Sequence, residues 1–345
     1  MKTDICEPLN ISVGIVAFNE EDYLPSLLNE IKAQDYPKEH TEIILIDSLS
    51  TDKTLELFEG FKKENEDDYR NIIIVSNPKK IQAAGWNIAI KEFTLDALIR
   101  VDAHAKLPSD FIRRNAECLN SGENVCGGMR PNIARNNSKR EKLILLTDNS
   151  IFGGSFAKYH SSEEKCYVDS VFHGCYRREV LEKVKGFNEE LGRTEDNDFH
   201  QRIAEAGYKI CYDPHIKSYQ YSRGSLKGFF KQKYGNGYWV GKTLRINRNC
   251  LSLFHFVPFA FFMATVLCVI FGVLVSWIPL CLLAAAYGAV TVAACVLTVK
   301  ENRKFTPLIV VLPFMFLSMH LSYGAGTLIG LLSGLKRDRK AFLCF

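Results

Sequence analysis

The chain has 345 residues and a formal net charge of +4, and 47% of its residues are hydrophobic. This length suffices for one large domain or two smaller ones, and so small a net charge excludes a global nucleic-acid-binding signature. The composition is mixed and charged up to about Tyr221, whereas Leu, Val, Phe, Ala and Ile dominate from Leu253 onward. We therefore expect a polar domain at residues 1–222, an apolar region that follows it in the chain, and no nucleic-acid partner.

The cysteines and the first residues both favour a cytosolic polar domain. Eleven cysteines are scattered without CxxC pairs or zinc-site spacing, which is typical of reduced thiols rather than of a disulfide framework. The segment Met1–Asp4 shows no apolar stretch of the kind that cleaved signal peptides carry.

Strand-like and helix-like patterns alternate through the first hundred residues. Strands are predicted at Ile11–Val16, Glu42–Ile46, Ile72–Val75 and in the apolar run before Asp102. Helices are predicted from Leu24 to about Ala33, from Ser50 or Thr51 to Phe61, and from Gln82 to Lys91. This alternation with short loops predicts an α/β fold with a doubly wound, mostly parallel sheet. Ligands bind beyond the carboxyl ends of such strands, where Asn19, Asp47 and Asp102 lie.

Asp102 and His104 stand where the fourth strand runs out into a loop. In an extended segment, a spacing of two residues directs both side chains to the same face. A carboxylate and an imidazole placed in this way can hold a divalent cation against a phosphate. Imidazole suits Mn²⁺ better than Mg²⁺, so the pair favours Mn²⁺ (or Mg²⁺ as the alternative), unless His104 is structural.

The second half of the polar region is less regular. A strand is predicted at Val125–Met129, strand character at 167–176, helices at 178–184 and up to Ala206, and a mobile basic segment at Arg135–Lys142. Glu195 and Asp196 are adjacent carboxylates at the start of the last of these helices. Negative charge is favourable at a helix N-terminus, so capping is an alternative to catalysis for this pair.

Three apolar stretches at 253–275, 278–299 and 308–332 follow a basic and aromatic segment at 223–252. The first two have no charged residue and are long enough to span a membrane as a helical hairpin. The third contains Pro313 and Gly324, so it either spans or is re-entrant or broken there. The basic segment suits a membrane interface, and the positive-inside rule places it on the cytosolic side. We therefore expect a multi-pass plasma-membrane protein with a basic tail at 336–345.

Four stretches in this order resemble family 2 glycosyltransferases with a GT-A fold. They are residues 16–21, residues 47–54, Asp102-Ala103-His104 in the place of the DxD motif, and Thr194-Glu195-Asp196. Residues 102–105, 172–178 and 195–197 are similar to the succinoglycan-biosynthesis glucosyltransferase group. The QxxRW motif of processive synthases is not matched at residues 232–239, because its Arg has no equivalent there.

The resemblance implies a nucleotide-sugar site at the strand ends. Asp47 would accept a hydrogen bond from the nucleotide base, although Asp is also common in tight turns. The other residues that would contact the nucleotide sugar are Ala17, Asn19, Glu20, Lys80 (or Lys79) and Asp102. Asp102 and His104 would hold the metal that bridges the diphosphate.

The resemblance also implies a catalytic base and an acceptor side. Asp196 would be the general base, with Glu195 as its competitor, and His173, Arg177 and Trp239 would line the acceptor side. The implied reaction is inverting transfer from a nucleotide diphosphate sugar, favoured as UDP-linked, to a polyprenyl-linked saccharide in surface or exopolysaccharide assembly. The alternatives are a processive synthase and a catalytically inactive nucleotide-binding scaffold in the membrane. A transporter subunit is disfavoured because the first two apolar stretches have no charges.

Overall fold

The computed structural model describes residues 8–136, 138–153, 163–222, 224–302 and 306–333. Contacts divide the chain into two compact units. Of the described residues, 8–131 and 163–220 form the first, called here the α/β unit, and the rest, which are 132–153 apart from 137 and those from 221 to 333, form the second, the helical unit. The basic tail expected at 336–345, and Arg223 at the start of the basic segment, lie outside the described residues.

Eleven strands are described. They are β1 (Ile11–Ala17), β2 (Thr41–Asp47), β3 (Asn71–Ser76), β4 (Ala97–Asp102), β5 (Ala105–Lys106), β6 (Val125–Met129), β7 (Asn132–Ile133), β8 (Cys166–Val168), β9 (Phe172–Arg177), β10 (Ile210–Lys217) and β11 (Tyr219–Tyr221). The helices are α1 (Leu24–Lys32), α2 (Thr54–Asn65), α3 (Gln82–Glu92), α4 (Phe111–Asn120), α5 (Lys139–Asn149), α6 (Arg178–Val184), α7 (Glu195–Glu205), α8 (Leu226–Ile246), α9 (Val257–Leu274), α10 (Ile278–Asn302) and α11 (Leu312–Leu332). Short 3₁₀ helices cover Lys38–His40, Arg248–Cys250, Leu253–Phe256 and Pro307–Val311.

The α/β unit is built on an eight-stranded sheet in the order β3-β2-β1-β4-β9-β6-β10-β8. The first four strands are mutually parallel, β9 runs antiparallel to both of its neighbours, and β10 is parallel to β6. All seven residues of β1 and of β2 are buried, as expected for central strands with helices on both faces. The prediction of a doubly wound, mostly parallel sheet is confirmed.

The helical unit contains three helices that could cross a membrane by length and composition. They cover Leu253–Leu274, Ile278–Lys300 and Pro307–Leu332, close to the predicted stretches. Helix α11 continues through Gly324, and Pro313 lies in its first turn, where proline removes no helical hydrogen bond. The third stretch is therefore a continuous helix from Leu312 and is not broken at either position.

Close packing of α8 against α11 depends on residues without side chains. A Cβ atom on Gly237 or Gly241 would overlap backbone atoms of α11, and one on Gly326 or Gly330 would overlap backbone atoms of α8. Small residues let two helices approach closely where apolar surroundings provide little driving force of their own.

The prediction of a mobile basic segment at Arg135–Lys142 is wrong from residue 139 onward, because α5 begins there. The hydroxyl of Ser138 accepts a hydrogen bond from the backbone N–H of Glu141 at 3.2 Å. The pattern Ser-x-x-Glu is a helix-start signature, and the density of basic residues obscured it.

Candidate active site

The strand ends meet at one edge of the sheet in the α/β unit. Register pairs Ala17 with Asp47 across β1 and β2, and Val16 with Asp102 across β1 and β4. Three residues expected at the nucleotide-sugar site, Ala17, Asp47 and Asp102, therefore lie side by side at the carboxyl edge. This is the edge at which parallel α/β sheets bind ligands.

Hydrogen bonds tie the loop after β1 to the loop after β2. Asn19 has a positive φ of 54°, its side-chain oxygen accepts from the backbone N–H of Thr51 at 2.7 Å, and its own N–H donates to Ser50 Oγ at 3.0 Å. The backbone N–H of Glu20 donates to Thr54 Oγ1 at 2.8 Å. The two loops thus form one wall, which holds Asn19 beside the end of β2.

Asp47 closes the turn that follows β2. It is 2% exposed, and both carboxylate oxygens lie 3.2 Å from the backbone nitrogen of Ser50, which donates to them. The turn-forming role that the sequence left open is therefore present. Binding of a nucleotide base by Asp47 stays a prediction.

The two lysines before α3 have different partners. Lys80 has a positive φ of 55°, donates through Nζ to the carbonyl oxygen of Leu49 at 3.3 Å, and lies 5.8 Å from the ring centre of Phe18. Lys79 instead forms an ion pair with Glu189. Lys80 is thus the lysine that lies against the loop after β2.

Asp102 ends β4 among positively charged and hydrogen-bonding groups. Its Oδ1 atom lies 3.7 Å from Arg100 Nη2 and accepts from Gln82 Nε2 at 3.3 Å, while Oδ2 lies 3.4 Å from His173 Nε2. Burial alone would raise the pKa of Asp102, but the imidazole of His173 and the charge of Arg100 outweigh it and lower the pKa well below its usual range. Asp102 is therefore ionised at neutral pH, as a metal ligand must be.

His104 lies in a turn, because β4 ends at Asp102. The expectation that an extended chain would point both side chains to one face is therefore wrong. His104 Nδ1 lies 3.2 Å from Glu20 Oε1, and Nε2 lies 2.6 Å from the side-chain amide of Gln220. Each ring nitrogen of His104 thus has a protein partner. A metal ion bound by His104 would have to replace one of these two partners.

The metal-binding side chains at this edge fit a divalent cation whose remaining ligands come from the substrate. Among the described residues, no group of three or more His, Cys, Asp and Glu side chains could hold a metal ion. Mg²⁺ sites commonly use one or two carboxylates together with substrate phosphates and water, so one ionised Asp102 and one imidazole are compatible with such an ion.

His173 contacts Asp102, whereas it was expected on the acceptor side. It is 2% exposed, has a positive φ of 47°, and its Nδ1 atom lies 2.8 Å from the hydroxyl of Ser218. Burial lowers the pKa of His173, which keeps the ring neutral at pH 7. Its position makes it a support for Asp102.

Arg100 is the site residue that sequence reasoning missed. Its Nη2 atom lies 3.7 Å from Asp102 and also 3.7 Å from Glu195 Oε1. The guanidinium carbon stands 4.8 Å from the ring centre of Trp86 and 5.5 Å from that of Phe187, both within cation–π range. Arg100 thus connects the end of β4 with the start of α7. The available signal was a charged residue inside an apolar strand, two positions before Asp102 and hence on the same face.

Glu195 and Asp196 open α7 with raised pKa values. Burial and the neighbouring charge of Asp196 raise the pKa of Glu195 to about 7, and burial also raises the pKa of Asp196 although Arg100 opposes it. Glu195 is 3% exposed, whereas Asp196 is half-buried and its Oδ1 accepts from the N–H of Asn197 at 2.9 Å. Of the two carboxylates, Asp196 is the more accessible to a substrate.

Arg177 and Trp239, the other two residues expected on the acceptor side, belong to different units. Arg177 pairs in register with Ala97 at the start of β4 and donates to the carbonyl oxygens of Glu123 and Leu119 at 3.2 and 3.0 Å. Because β9 runs antiparallel to β4, Arg177 lies at the opposite edge of the sheet from Asp102, so its assignment to the acceptor side is wrong. Trp239 belongs to the helical unit, where it is 4% exposed and packs edge-to-face on Tyr238. An acceptor role for Trp239 stays a prediction.

Two family models match the chain, and together they span both units. Residues 12–185 match the model of glycosyl transferase family 2, and residues 152–323 match that of glycosyl transferase family group 2.

Similar proteins cover nearly the whole chain. A dolichyl N-acetyl-α-D-glucosaminyl phosphate 3-β-D-2,3-diacetamido-2,3-dideoxy-β-D-glucuronosyltransferase of Methanococcus voltae is 29% identical over 94% of this chain and 98% of its own length. The succinoglycan biosynthesis protein ExoA of Rhizobium meliloti is 26% identical over 94% and 96%. Among solved structures, the mannosyltransferase PcManGT of Pyrobaculum calidifontis, in complex with GDP-Man and Mn²⁺, shares the fold with a TM-score of 0.58 and 18% identity over 94% and 87%. With half of its length matched by one family model and this site at the carboxyl edge of its sheet, the chain belongs to glycosyl transferase family 2.

Proposed function

We propose that this glycosyltransferase moves one sugar from a nucleotide diphosphate sugar, UDP-linked, to a polyprenyl-linked saccharide, with inversion at the anomeric carbon. The observation that carries the proposal is the position of Arg100 between Asp102 and the Glu195–Asp196 pair. One cation thus joins the residue assigned to the diphosphate and the residues assigned to proton transfer. A site that only bound nucleotide would have no need of the second group.

The donor side of the proposed site is the wall formed by the loops after β1 and β2. Ala17, Asn19, Glu20, Asp47 and Lys80 would bind the nucleotide, and Asp102 with His104 would hold Mn²⁺ or Mg²⁺ at the diphosphate. A bound divalent ion would neutralise the negative charge that develops on the departing nucleotide diphosphate. The ionised state of Asp102 and the Mn²⁺ in the similar mannosyltransferase support this assignment.

The acceptor side of the proposed site is the N-terminus of α7. Asp196 would take the proton from the acceptor hydroxyl while that oxygen attacks the anomeric carbon on the face opposite the diphosphate. The bond to the diphosphate oxygen breaks as the new glycosidic bond forms, so a single displacement inverts the configuration. A raised pKa makes Asp196 a stronger base than an ordinary aspartate, which supports this role. Glu195 is the competing candidate.

A lipid-linked acceptor and a membrane location belong to the same proposal. Three helices in the helical unit are long and apolar enough to cross a membrane, and the similar protein of Methanococcus voltae is named for a dolichyl-linked substrate. We propose a multi-pass plasma-membrane protein with its catalytic unit on the cytosolic side, acting in surface or exopolysaccharide assembly. The positive-inside rule supports this orientation, since basic residues precede the first apolar helix.

A donor screen on membranes containing the full-length protein tests the proposal. We expect nucleotide diphosphate release from a UDP-sugar, dependent on Mn²⁺ and on a polyprenyl-linked saccharide, and a β-linked product from an α-linked donor when the anomeric proton is followed by NMR. A retained configuration would contradict inversion. Products longer by many sugars would identify a processive synthase, and nucleotide binding without release under every acceptor would identify a scaffold.

A further inference from the structure

Four buried cysteines from four different elements converge on one face of the sheet. Register pairs Cys175 with Cys126 across β9 and β6, and Cys126 with Cys211 across β6 and β10, so three of them form a row on neighbouring strands. Cys118 of α4 packs against this row, with its Sγ atom 3.8 Å from that of Cys211. All four thiols are free and at most 3% exposed. Their convergence is invisible in the sequence, where the cysteines are far apart.

A cavity gives access to this row at Cys118. It has a volume of about 170 Å³ and is lined by Cys118 together with polar side chains that include Lys165, Asp213 and His215. A water molecule in the liquid occupies roughly 30 Å³, so the cavity has room for small polar molecules. Lys165 is held at the cavity by a 2.8 Å hydrogen bond from its Nζ atom to Ser121 Oγ.

The surroundings of Cys118 favour its thiolate. The neighbouring thiols of Cys126 and Cys211 and the positive charge of Lys165 lower the pKa of Cys118, whereas burial and the negative charge of Asp213 oppose them. The thiolate is the nucleophilic form of cysteine, and cationic neighbours are typical of reactive cysteines. A structural metal does not account for the row, because the described residues contain no group of three or more ligands that could hold one.

We propose that Cys118 and Cys211 are a modification site at which hydrogen peroxide forms a reversible disulfide between α4 and β10. The Cys118 thiolate attacks one peroxide oxygen and the O–O bond breaks, which gives a sulfenic acid and a hydroxide that is protonated to water. The Cys211 sulfur then attacks the sulfenyl sulfur, the S–O bond breaks, and the departing hydroxide takes the Cys211 proton. In total, two thiols are oxidised and one peroxide is reduced to two waters.

The sulfur atoms of Cys118 and Cys211 already lie in contact in the reduced protein. The two sulfur atoms must approach from 3.8 Å to about 2.05 Å. The bond would join α4, the helix after Asp102, to the strand that leads into Ser218, whose hydroxyl contacts His173. Both ends of the proposed disulfide therefore lie on segments that continue into the candidate active site.

Mass spectrometry of the full-length protein in detergent tests the proposal. The reduced protein is exposed to hydrogen peroxide, blocked with N-ethylmaleimide and digested. We expect one cross-linked peptide pair that carries Cys118 and Cys211, loss of two free thiols relative to the reduced protein, and recovery of both with dithiothreitol. Thermal unfolding recorded on the same sample verifies that the chain remains folded during oxidation.

Two variants and a control separate the two steps. Cys211→Ser should leave Cys118 as a sulfenic acid that dimedone labels, whereas Cys118→Ser should leave Cys211 unmodified. Cys250→Ser, at a half-buried position in the helical unit, should form the cross-link as the parent does. The proposal is overturned if the folded parent protein forms no cross-link at a peroxide concentration that oxidises its other thiols, or if Cys118 pairs with a different cysteine.

Discussion

A cluster of buried charge in the helical unit differs from one in the α/β unit. In the helical unit, Lys233 Nζ lies 2.6 Å from Asp148 Oδ1, and each side chain is at most 16% exposed, so one cation meets one anion. In the α/β unit, Arg100 lies 3.7 Å from both Asp102 and Glu195, and its charge also acts on Asp196. Three carboxylates there share one cation. The first arrangement is neutral, whereas the second has an excess of negative charge.

The two clusters also differ in how completely their charged atoms are hydrogen-bonded. Glu195 Oε2 and Arg100 Nε are buried and have no hydrogen-bond partner among the described residues, whereas the Lys233–Asp148 contact is a direct hydrogen bond. Burying an unsatisfied charged group is costly, and a fold retains such groups where they have a function. The difference supports the proposal that the cluster around Arg100 receives a cation, a proton or both, whereas the Lys233–Asp148 pair is satisfied by itself.

The largest effect is expected from removing the proposed base. Asp196→Asn should reduce sugar transfer by roughly 10²–10⁴-fold, because general base catalysis contributes about that much, while nucleotide binding stays near normal. Asp68→Asn, at an exposed position paired with Lys38, is the matched control and should leave transfer unchanged. The measurement is single-turnover transfer with a lipid acceptor. Transfer at near the parental rate in Asp196→Asn, with loss in Glu195→Gln, would assign the base to Glu195.

Arg100→Met should destabilise the protein by about 3–5 kcal/mol, because it leaves buried carboxylates without their cation. Lys233→Met should have a similar effect, and adding Asp148→Leu should recover most of it, since no buried charge then remains. Adding Glu195→Gln to Arg100→Met should recover only part of the lost stability, because the negative charges of Asp102 and Asp196 remain without their cation. Denaturant unfolding of these four variants and of the parent measures this. Equal recovery in both double variants would contradict the difference between the two clusters.

Local elements and the doubly wound, mostly parallel sheet followed from the sequence, but the pairing of β4 with β9 did not. The apolar runs of β1, β2 and β4 and the periodicity of α1 and α3 depend on neighbours within a few residues, so these elements were predictable. The pairing of β4 with β9 is a long-range contact that periodicity does not encode. The positions of His173 and Arg177 depend on that pairing, and both differ from expectation.

One half of the candidate site was predictable from the strand ends, and the other half only through motif order. Parallel strands end at the same edge of a sheet, which is enough to bring Asn19, Asp47 and Asp102 together. Nothing local connects Asp102 with Glu195, since that contact runs through Arg100 across 95 residues of chain. A buried arginine inside a strand is a weak signal until its partners are known.

Asp102→Asn should weaken nucleotide diphosphate binding in the presence of Mn²⁺ by roughly tenfold or more, a loss typical of damage to a metal site. The same variant should bind nucleotide as the parent does when EDTA removes the metal. Asp148→Asn, which removes the anionic partner of Lys233, should not alter the Mn²⁺ dependence. Isothermal titration with and without Mn²⁺ measures both. Identical titrations of the parent protein under the two conditions would remove the metal assignment altogether.

The smallest effect is expected in the pH dependence of stability. The folded pKa of Glu195, about 7, lies above its ordinary value of 4.5, so the folded state retains a proton that the unfolded chain has already lost between these values. This proton stabilises the protein below pH 4.5, and its contribution disappears as the pH rises through 7. Between pH 5 and pH 8 the melting temperature should therefore fall by a few degrees more in the parent than in Glu195→Gln, which has no proton to lose. Glu59→Gln, at an exposed position on α2, should behave as the parent does. If the melting temperatures of the parent and of Glu195→Gln fell equally across this pH range, Glu195 would already be ionised in the folded state. The excess of negative charge around Arg100 would then be larger than proposed.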